Sequence, residues 1–398
     1  MRIPPLQGQP GCGGDVIGRM RVSEVMKSFY DTTRINVSIG NPIYLNQVLE
    51  KWFPVRKGFD FFSQQNHVST YTLSGWEPGY VLERCRSFLE SIGYGDIVSP
   101  SRGYEFYSQG NTQSVVSTVY TLRTRASQEG KQLRVVSVAP TYFELEGICR
   151  LLGVPYESFP NVSYIGSKDS DEYLLFYCCS PNNPDGHIYN QVTDIPPSAD
   201  AVYYDLSYGS PQYTNIHPVP PLDAILSRKL DCVVFGFSFS KIATASLRVS
   251  YSKVFSSTIP VESFRNGINS TTLGFSLGTM NTLANVLDVL QQHLSSYLKT
   301  TTRILQRNKE KVAHAIRLFF GSSNVVIAPY DTGGFLWLYV PGKNPTTILE
   351  GLGIEVKSGV FFFTSSSPEH ESYARVNTLQ SEAIIDAFCQ RLLSFSLS

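Results

Sequence analysis

The spacing of apolar positions changes along the chain, and each change marks an element. Residues 79–92 set Val81, Leu82, Cys85, Phe88 and Leu89 on one helical face, and residues 111–126 form a second helix behind a Gly110-Asn111-Thr112 cap. The centre then alternates. Strands are expected at Leu133–Val138, Tyr173–Tyr177, Ala201–Tyr204 and 232–237, with helices over 141–152 and 221–229 between them. Strands that are apolar without a break and separated by helices belong to a mostly parallel sheet covered on both faces, an α/β architecture. Before this core, Ile35–Ile39 alternates like a short strand, Gly40-Asn41-Pro42 ends it, and 43–53 reads as a helix. After the core the pattern breaks from Pro260 to Gly274. Two long helical patterns follow over 276–317, then short strands at 325–327 and 335–338, and a closing helix near 381–394. The expected division is an N-terminal arm at 1–40, a large domain at 41–265 and a smaller α/β domain at 266–398.

Composition narrows the function. With 33 basic and 33 acidic residues the formal net charge is zero, so there is no basic footprint for nucleic acid. No run of 18 apolar residues occurs and the opening MRIPPLQGQPGCGG carries no apolar signal segment, so no membrane partner and a cytoplasmic location are expected. The seven cysteines are odd in number and lack tight metal spacing; Cys178 and Cys179 sit in an apolar run as buried thiols, and no metal site is expected. The 23 tyrosines and 24 phenylalanines suit an aromatic core or cleft.

In such a sheet, ligands collect at the carboxyl ends of the strands. Phe237-Ser238-Phe239-Ser240-Lys241 follows the last central strand, with Arg248 seven residues beyond the lysine. A lysine able to become a nucleophile, serines that bind an anion and a fixed guanidinium suit a cofactor with an aldehyde and a phosphate, as pyridoxal phosphate has. The other strand ends can serve the same ligand. Gly110, Asn111 and Thr112 open a helix whose N–H groups could hold a phosphate. Tyr142 could lie on a planar ring. Asn183, in Ser180-Pro181-Asn182-Asn183-Pro184-Asp185-Gly186, can donate to a phenolate oxygen, and Asp205, with Tyr208 after it, can keep a pyridine nitrogen protonated. Each piece alone is an ordinary cap, turn or packing residue; the order and spacing of all five carry the reading.

These residues resemble a fold-type I pyridoxal-phosphate enzyme of the aspartate aminotransferase superfamily: Asn183-Pro184-Asp185-Gly186, Asp205 with Tyr208, and Ser238-Phe239-Ser240-Lys241 with Arg248. Within it the chain is most similar to the alliinase and plant tryptophan aminotransferase family, through the whole Ser180–Gly186 turn, Phe239-Ser240-Lys241-Ile242, Gly40-Asn41-Pro42 with Tyr44, Gly110-Asn111-Thr112-Gln113 and Ala374-Arg375-Val376-Asn377. The resemblance spans roughly residues 36–395. It implies that Lys241 bonds the cofactor aldehyde and, once displaced, is the general base. Asn183 and Tyr208 would bond the ring hydroxyl oxygen, Asp205 the ring nitrogen and Tyr142 the ring face. Gly110, Asn111, Thr112, Ser238, Ser240 and Arg248 would surround the phosphate. Arg375 would clamp the substrate carboxylate, with Gly40 and Asn183 also facing the substrate.

The resemblance further implies a homodimer, with Tyr71 a candidate to cross to the partner's site, and small-molecule partners, an amino acid and a 2-oxo acid. The expected reaction is transamination of an L-amino acid, hydrophobic, aromatic or specialised, because Phe61, Phe62, Tyr71, Trp76 and Phe361–Phe363 offer aromatic surface and no second arginine marks a dicarboxylate site. The alternatives are an alliinase-type C–S or β-elimination lyase, which shares the first proton removal, and a silent binding protein. Three departures stand out: seven rather than eight residues from the lysine to the phosphate arginine, Asn41 in place of an aspartate, and Leu206 after Asp205.

Overall fold

The computed structural model describes residues 34–38, 42, 44–49, 71–72, 77, 79–272, 274–329, 331–364 and 367–396. Most of the expected arm, together with Gly40, Asn41, Phe61, Phe62 and Trp76, lies outside them.

A seven-stranded sheet forms the centre: β1 (Tyr104–Ser108), β2 (Gln132–Val138), β3 (Tyr156–Phe159), β4 (Glu172–Cys179), β5 (Ala201–Asp205), β6 (Cys232–Ser238) and β7 (Ser250–Phe255), in the order β1-β7-β6-β5-β4-β2-β3. Strands β2 to β6 pair in parallel; β7 runs antiparallel to β6 and to β1. The fully buried runs of β4, β5 and β6 match their apolar sequences. Strands β1 and β7 escape the hydrophobic pattern because their buried positions are partly polar. Ser108 Oγ donates to Ser250 Oγ (3.2 Å), Ser114 and Ser252 share a hydrogen bond (2.6 Å), and Lys253 Nζ donates to the Ser99 carbonyl (2.8 Å). Hydrogen bonding, rather than apolarity, makes these side chains acceptable inside.

Helix α1 (Asn111–Gln128) packs on the sheet and against α3 (Val261–Thr272); α2 (Glu144–Leu151) follows β2. The presence of α3 corrects the expected break from Pro260 to Gly274. Pro260 precedes the first turn, where a missing N–H costs nothing, and Gly267 is a helix–helix contact: a Cβ there would stand 2.7 Å from Ser117 Oγ. Packing overrides the poor helix propensity of the segment.

The two long helical patterns are α4 (Leu277–Gln292) and α5 (Leu294–Phe320), and the closing helix is α6 (Glu382–Ser396). The smaller sheet contains β8 (Val326–Ile327), β9 (Phe335–Tyr339), β10 (Lys357–Ser358) and β11 (Tyr373–Asn377), in the antiparallel order β8-β9-β11-β10. A second parallel pair joins Ile35–Asn36 to Ile354–Glu355. Tyr71 lies in a two-residue strand against Phe275–Ser276. The larger core extends through Leu305 of α5, and the smaller one begins at Val312 of the same helix and takes in Val37. The expected boundary at 265/266 therefore falls inside α3, and the change of core falls within α5. Among the described residues no helix is long and apolar enough to cross a membrane.

Candidate active site

A cavity of about 530 Å³ opens where the carboxyl ends of the central strands face the smaller sheet. Its walls include Asn111, Thr112, Tyr142, Asn183, Asp205, Tyr208, Ser238, Lys241, Arg248 and Arg375, ten of the thirteen residues singled out from sequence. Gly110 stands behind Arg248, Ser240 is buried off the wall with its hydroxyl unpartnered, and Gly40 lies outside the described residues.

Lys241 sits in a single helical turn, Phe239–Ile242, directly after β6. In so short a helix only the Phe239 carbonyl finds a helical partner, the Ala243 N–H (2.9 Å), and the later carbonyls turn to side chains. Gln212 Nε2 and Tyr213 Oη both donate to the Lys241 carbonyl (3.1 and 2.6 Å), and Tyr297 Oη donates to that of Ile242. These three side chains fix the backbone that carries the amine. Burial, then the charges of Arg248 and Arg375, push Lys241 down to about 8, against the opposing pull of Asp205. The Nζ lies 5.9 Å from the centre of the Tyr208 ring.

Arg248 reaches the cavity from a left-handed backbone (φ 47°, ψ 42°) that ends a 3-10 turn at Ala245–Leu247. A non-glycine residue held there stores strain, a recurrent feature of ligand sites. Its guanidinium lies against Gly110 at the start of α1: a Cβ on Gly110, whose φ is +83°, would stand 2.6 Å from Arg248 Nη2. A helix N-terminus and a guanidinium thus converge on one point, a pole for an anion. Thr112 Oγ1 shares a 3.1 Å hydrogen bond with Tyr142 Oη, tying that pole to the aromatic wall. Asn111 is held by Tyr203 Oη, which donates to its Oδ1 (2.8 Å).

Asp205, only 4% exposed, receives hydrogen bonds from Tyr177 Oη on Oδ2 (2.7 Å) and from the Ser207 N–H on Oδ1 (2.9 Å). Arg375 on β11 donates through Nη1 to Asn183 Oδ1 (2.7 Å) and through Nη2 to the Ser38 carbonyl, while Nε has no hydrogen-bond partner. Phe335 lies 4.2 Å from its Cζ. Burial lowers Arg375 to about 10, opposed by Tyr208 and Tyr142. Because Asn183 accepts through its oxygen, its amide nitrogen is the atom that can donate.

Sequence reading missed Tyr177, Gln212, Tyr213 and Tyr297, which touch Asp205 or the Lys241 turn, and Phe143, Glu355 and Lys357 of the outer wall, where Phe361, one of the aromatic residues expected to offer surface to a pocket, also stands. In the sequence Tyr177 is one more aromatic residue in a buried strand, and nothing distinguishes it from packing. Among the described residues no cluster of His, Cys, Asp and Glu could hold a metal.

A model of the family described as allinase matches residues 95–316, more than half of the chain. Tryptophan aminotransferase-related protein 2 of Oryza sativa subsp. japonica is 25% identical over 318 residues, 72% of this chain. The chain spans 58% of the length of that relative. Among solved structures, an archaeal alanine:glyoxylate aminotransferase superposes with a TM-score of 0.75 at 15% identity, covering 96% of this chain and 94% of the other. YbdL of Escherichia coli, reported with a methionine aminotransferase function, gives 0.70 at 15% over 98% and 100% of the two chains. The kynurenine aminotransferase of Pyrococcus horikoshii gives 0.70 at 16% over 97% and 96%. These likenesses show the fold: a fold-type I transferase architecture with a large, mostly parallel sheet and a smaller C-terminal α/β part.

Proposed function

The chain belongs to the allinase family, and from that premise we propose that it is a pyridoxal-phosphate-dependent aminotransferase, converting an L-amino acid to its 2-oxo acid with a 2-oxo acid as acceptor. The observation that carries this reading is the placement of Lys241. Its amine, lowered to about 8, shares a walled cavity with Arg248 of the anion pole and with the buried Arg375, and the charges of both act on it. The residues present fit the cofactor. Gly110 lacks the side chain that would displace Arg248 from the pole, and Asp205 is a buried carboxylate aimed into the cavity with both oxygens already oriented.

When bound, pyridoxal phosphate supplies an aldehyde that takes up an amino group and a ring that accepts the electron pair left at the substrate α-carbon. Asp205 would hold the proton on the ring nitrogen, Tyr142 would cover the ring, and the Asn183 amide with Tyr208 would bond the ring hydroxyl oxygen. Asn111, Thr112, Ser238 and Arg248 would take the phosphate, with Gly110 allowing the close approach. Arg375 would clamp the α-carboxylate; its unpartnered Nε is a remaining donor in a buried place. Lys241 Nζ, partly deprotonated near neutral pH, would remove the α-proton and deliver it one bond away. The family resemblance also supports a homodimer, which light scattering checks.

The test is to load the purified protein with pyridoxal phosphate and mix it with single L-amino acids and no acceptor. Stoichiometric pyridoxamine phosphate and 2-oxo acid are expected. Catalytic release of ammonia and pyruvate from a β-substituted amino acid would replace this reading with elimination. A protein that binds no pyridoxal phosphate, with Lys241→Ala behaving like the parent, would remove the cofactor altogether.

A further inference from the structure

Lys309 is a buried cation that the proposed reaction does not use. It sits in α5 between Leu305 of the larger core and Val312 of the smaller one, and only 5% of it is exposed. An ammonium there gives up its hydration, a cost that an apolar side chain of the same length avoids. Burial lowers it to about 8, with Asp331 pulling the other way. Its Nζ donates to the Thr332 carbonyl (2.8 Å), in the segment 331–334 that leads into β9. That segment holds two parts of the site. Thr332 Oγ1 donates to the Gly186 carbonyl, and the Gly186 N–H donates to the Asn182 carbonyl (3.0 Å), which closes the turn carrying Asn183. The Gly333 N–H donates to the Tyr213 carbonyl (2.9 Å), and Tyr213 Oη donates to the Lys241 carbonyl (2.6 Å). The Tyr213 ring also meets the Tyr208 ring edge-on, 5.4 Å between centres. Gly333 has φ +69°, a conformation open to glycine, so successive residues of the segment reach different partners. Asn308, the neighbour of Lys309 in α5, donates through Nδ2 to the carbonyls of Thr378 (3.0 Å) and Gln380 (3.1 Å), just beyond β11 and its Arg375. One point on α5 thus anchors the segment that reaches Asn183 and Lys241 and the exit of the strand that carries Arg375.

We propose that Lys309 is a positioning residue for this site, which through Thr332 and Gly333 holds the Asn183 turn and the Lys241 turn in place relative to each other and to Arg375. The proposal rests on the transaminase reading for its kinetic consequence and on the fold alone for the placement of Lys241. The charges that act on Lys241 are those of Arg248, Arg375 and Asp205. A change at Lys241 on the loss of Lys309 therefore reports position rather than charge.

The experiment compares the parent with Lys309→Met, which keeps the length of the side chain and removes the amine, with Thr332→Val, which keeps the shape and removes the link to Gly186, and with the double variant. All are measured without denaturant, where circular dichroism shows the parent fold. In the apoprotein the midpoint for acylation of Lys241, followed on its peptide, rises by at least about half a unit in each variant, because water reaches an amine whose turn is no longer held. In the protein loaded with pyridoxal phosphate, the single-turnover rate with an amino acid that the parent converts falls at least about tenfold in each single variant. The double variant falls no further than the more impaired single one, since both links lie in one chain. A folded Lys309→Met with the parent midpoint and the parent rate, its urea stability alone reduced, would overturn the proposal and make Lys309 a packing residue. Losses that add in the double variant would overturn it too. Should Lys309→Met not fold, Thr332→Val decides, and a parent midpoint in that variant refutes the chain of contacts. Should no amino acid react with the parent, the transaminase reading fails and the apoprotein midpoint alone decides the role of Lys309.

Discussion

Replacing Arg248 by Gln removes the strongest charge acting on Lys241 and raises the pKa of that amine. The lysine is displaced from the ordinary 10.5 to about 8, chiefly by burial, then by Arg248 and Arg375, with Asp205 pulling the other way. At 1.36 kcal/mol per unit the whole displacement corresponds to up to about 3 kcal/mol between the two protonation states. A neighbouring cation contributes a shift of about one unit. Arg248→Gln therefore moves the midpoint upward by about one unit, Arg375→Gln moves it upward by less, and Asp205→Asn moves it downward. The readout is the pH dependence of acylation of Lys241 in the apoprotein, followed on its peptide by mass spectrometry. The same displacement has a sign in stability. Between pH 8 and 10.5 the unfolded chain keeps a proton that folded Lys241 has lost, so stability rises with pH across that window and the penalty is complete below it. Lys309, buried in α5 and also lowered to about 8, adds to this rise, so Lys241→Met reduces it without abolishing it. A parent midpoint near 10.5, or an Arg248→Gln midpoint that stays put, would refute this account of the site.

Tyr177→Phe deletes a 2.7 Å hydrogen bond to a buried carboxylate and lowers urea stability by about 1.5–3 kcal/mol; the loss shrinks in an Asp205→Asn background, and an undiminished loss would assign Tyr177 to packing alone. Gly110→Ala puts a Cβ at φ +83° against Arg248, so it destabilises by about 1–3 kcal/mol and weakens pyridoxal phosphate binding in a fluorescence titration, whereas unchanged binding would remove Arg248 from the anion pole. Gly267→Ala improves helix propensity by about 0.5–1 kcal/mol, yet overpacking against Ser117 costs about 1–3 kcal/mol; a raised melting temperature would show that α1 and α3 are less closely packed than described.

The parts of the fold that sequence reading placed correctly are those in which burial is achieved by apolar side chains. Strands β4, β5 and β6 are buried along nearly their whole length and are written in Val, Leu, Phe, Tyr and Cys, so a hydrophobic run identifies them. Strand β7 is buried at every position as well, but its Ser250, Ser252 and Lys253 are satisfied by partners on β1, α1 and the turn at Ser99. Periodicity measures apolarity, and these residues are inside for a different reason. Helix α3 fails the same test from the other side. Its glycine is a contact surface, which composition alone reads as a breaker.

The site divides along a similar line. Residues that touch a ligand are few in kind and ordered along the strand ends, so Lys241, Asp205, Asn183 and Arg248 could be found from spacing. Residues that hold them are ordinary aromatics and amides brought in from distant segments. Tyr297 is 55 residues from the carbonyl it bonds, and no local pattern encodes that pairing. The seven-residue step from Lys241 to Arg248 shows how the two levels interact. A loop one residue short would deliver its arginine elsewhere if it ran on in an ordinary conformation. Instead it tightens into a 3-10 turn and ends with Arg248 itself in the left-handed region, where the chain reverses sharply and the guanidinium meets the glycine that opens α1. The strain is confined to the residue whose side chain makes the anion pole. An Arg248→Gly variant would thus relieve the backbone while removing the charge, and an Arg248→Lys variant would keep the charge and the strain. If the pole depends on the fork of the guanidinium as well as on its charge, the lysine variant recovers only part of the phosphate affinity that the glycine variant loses.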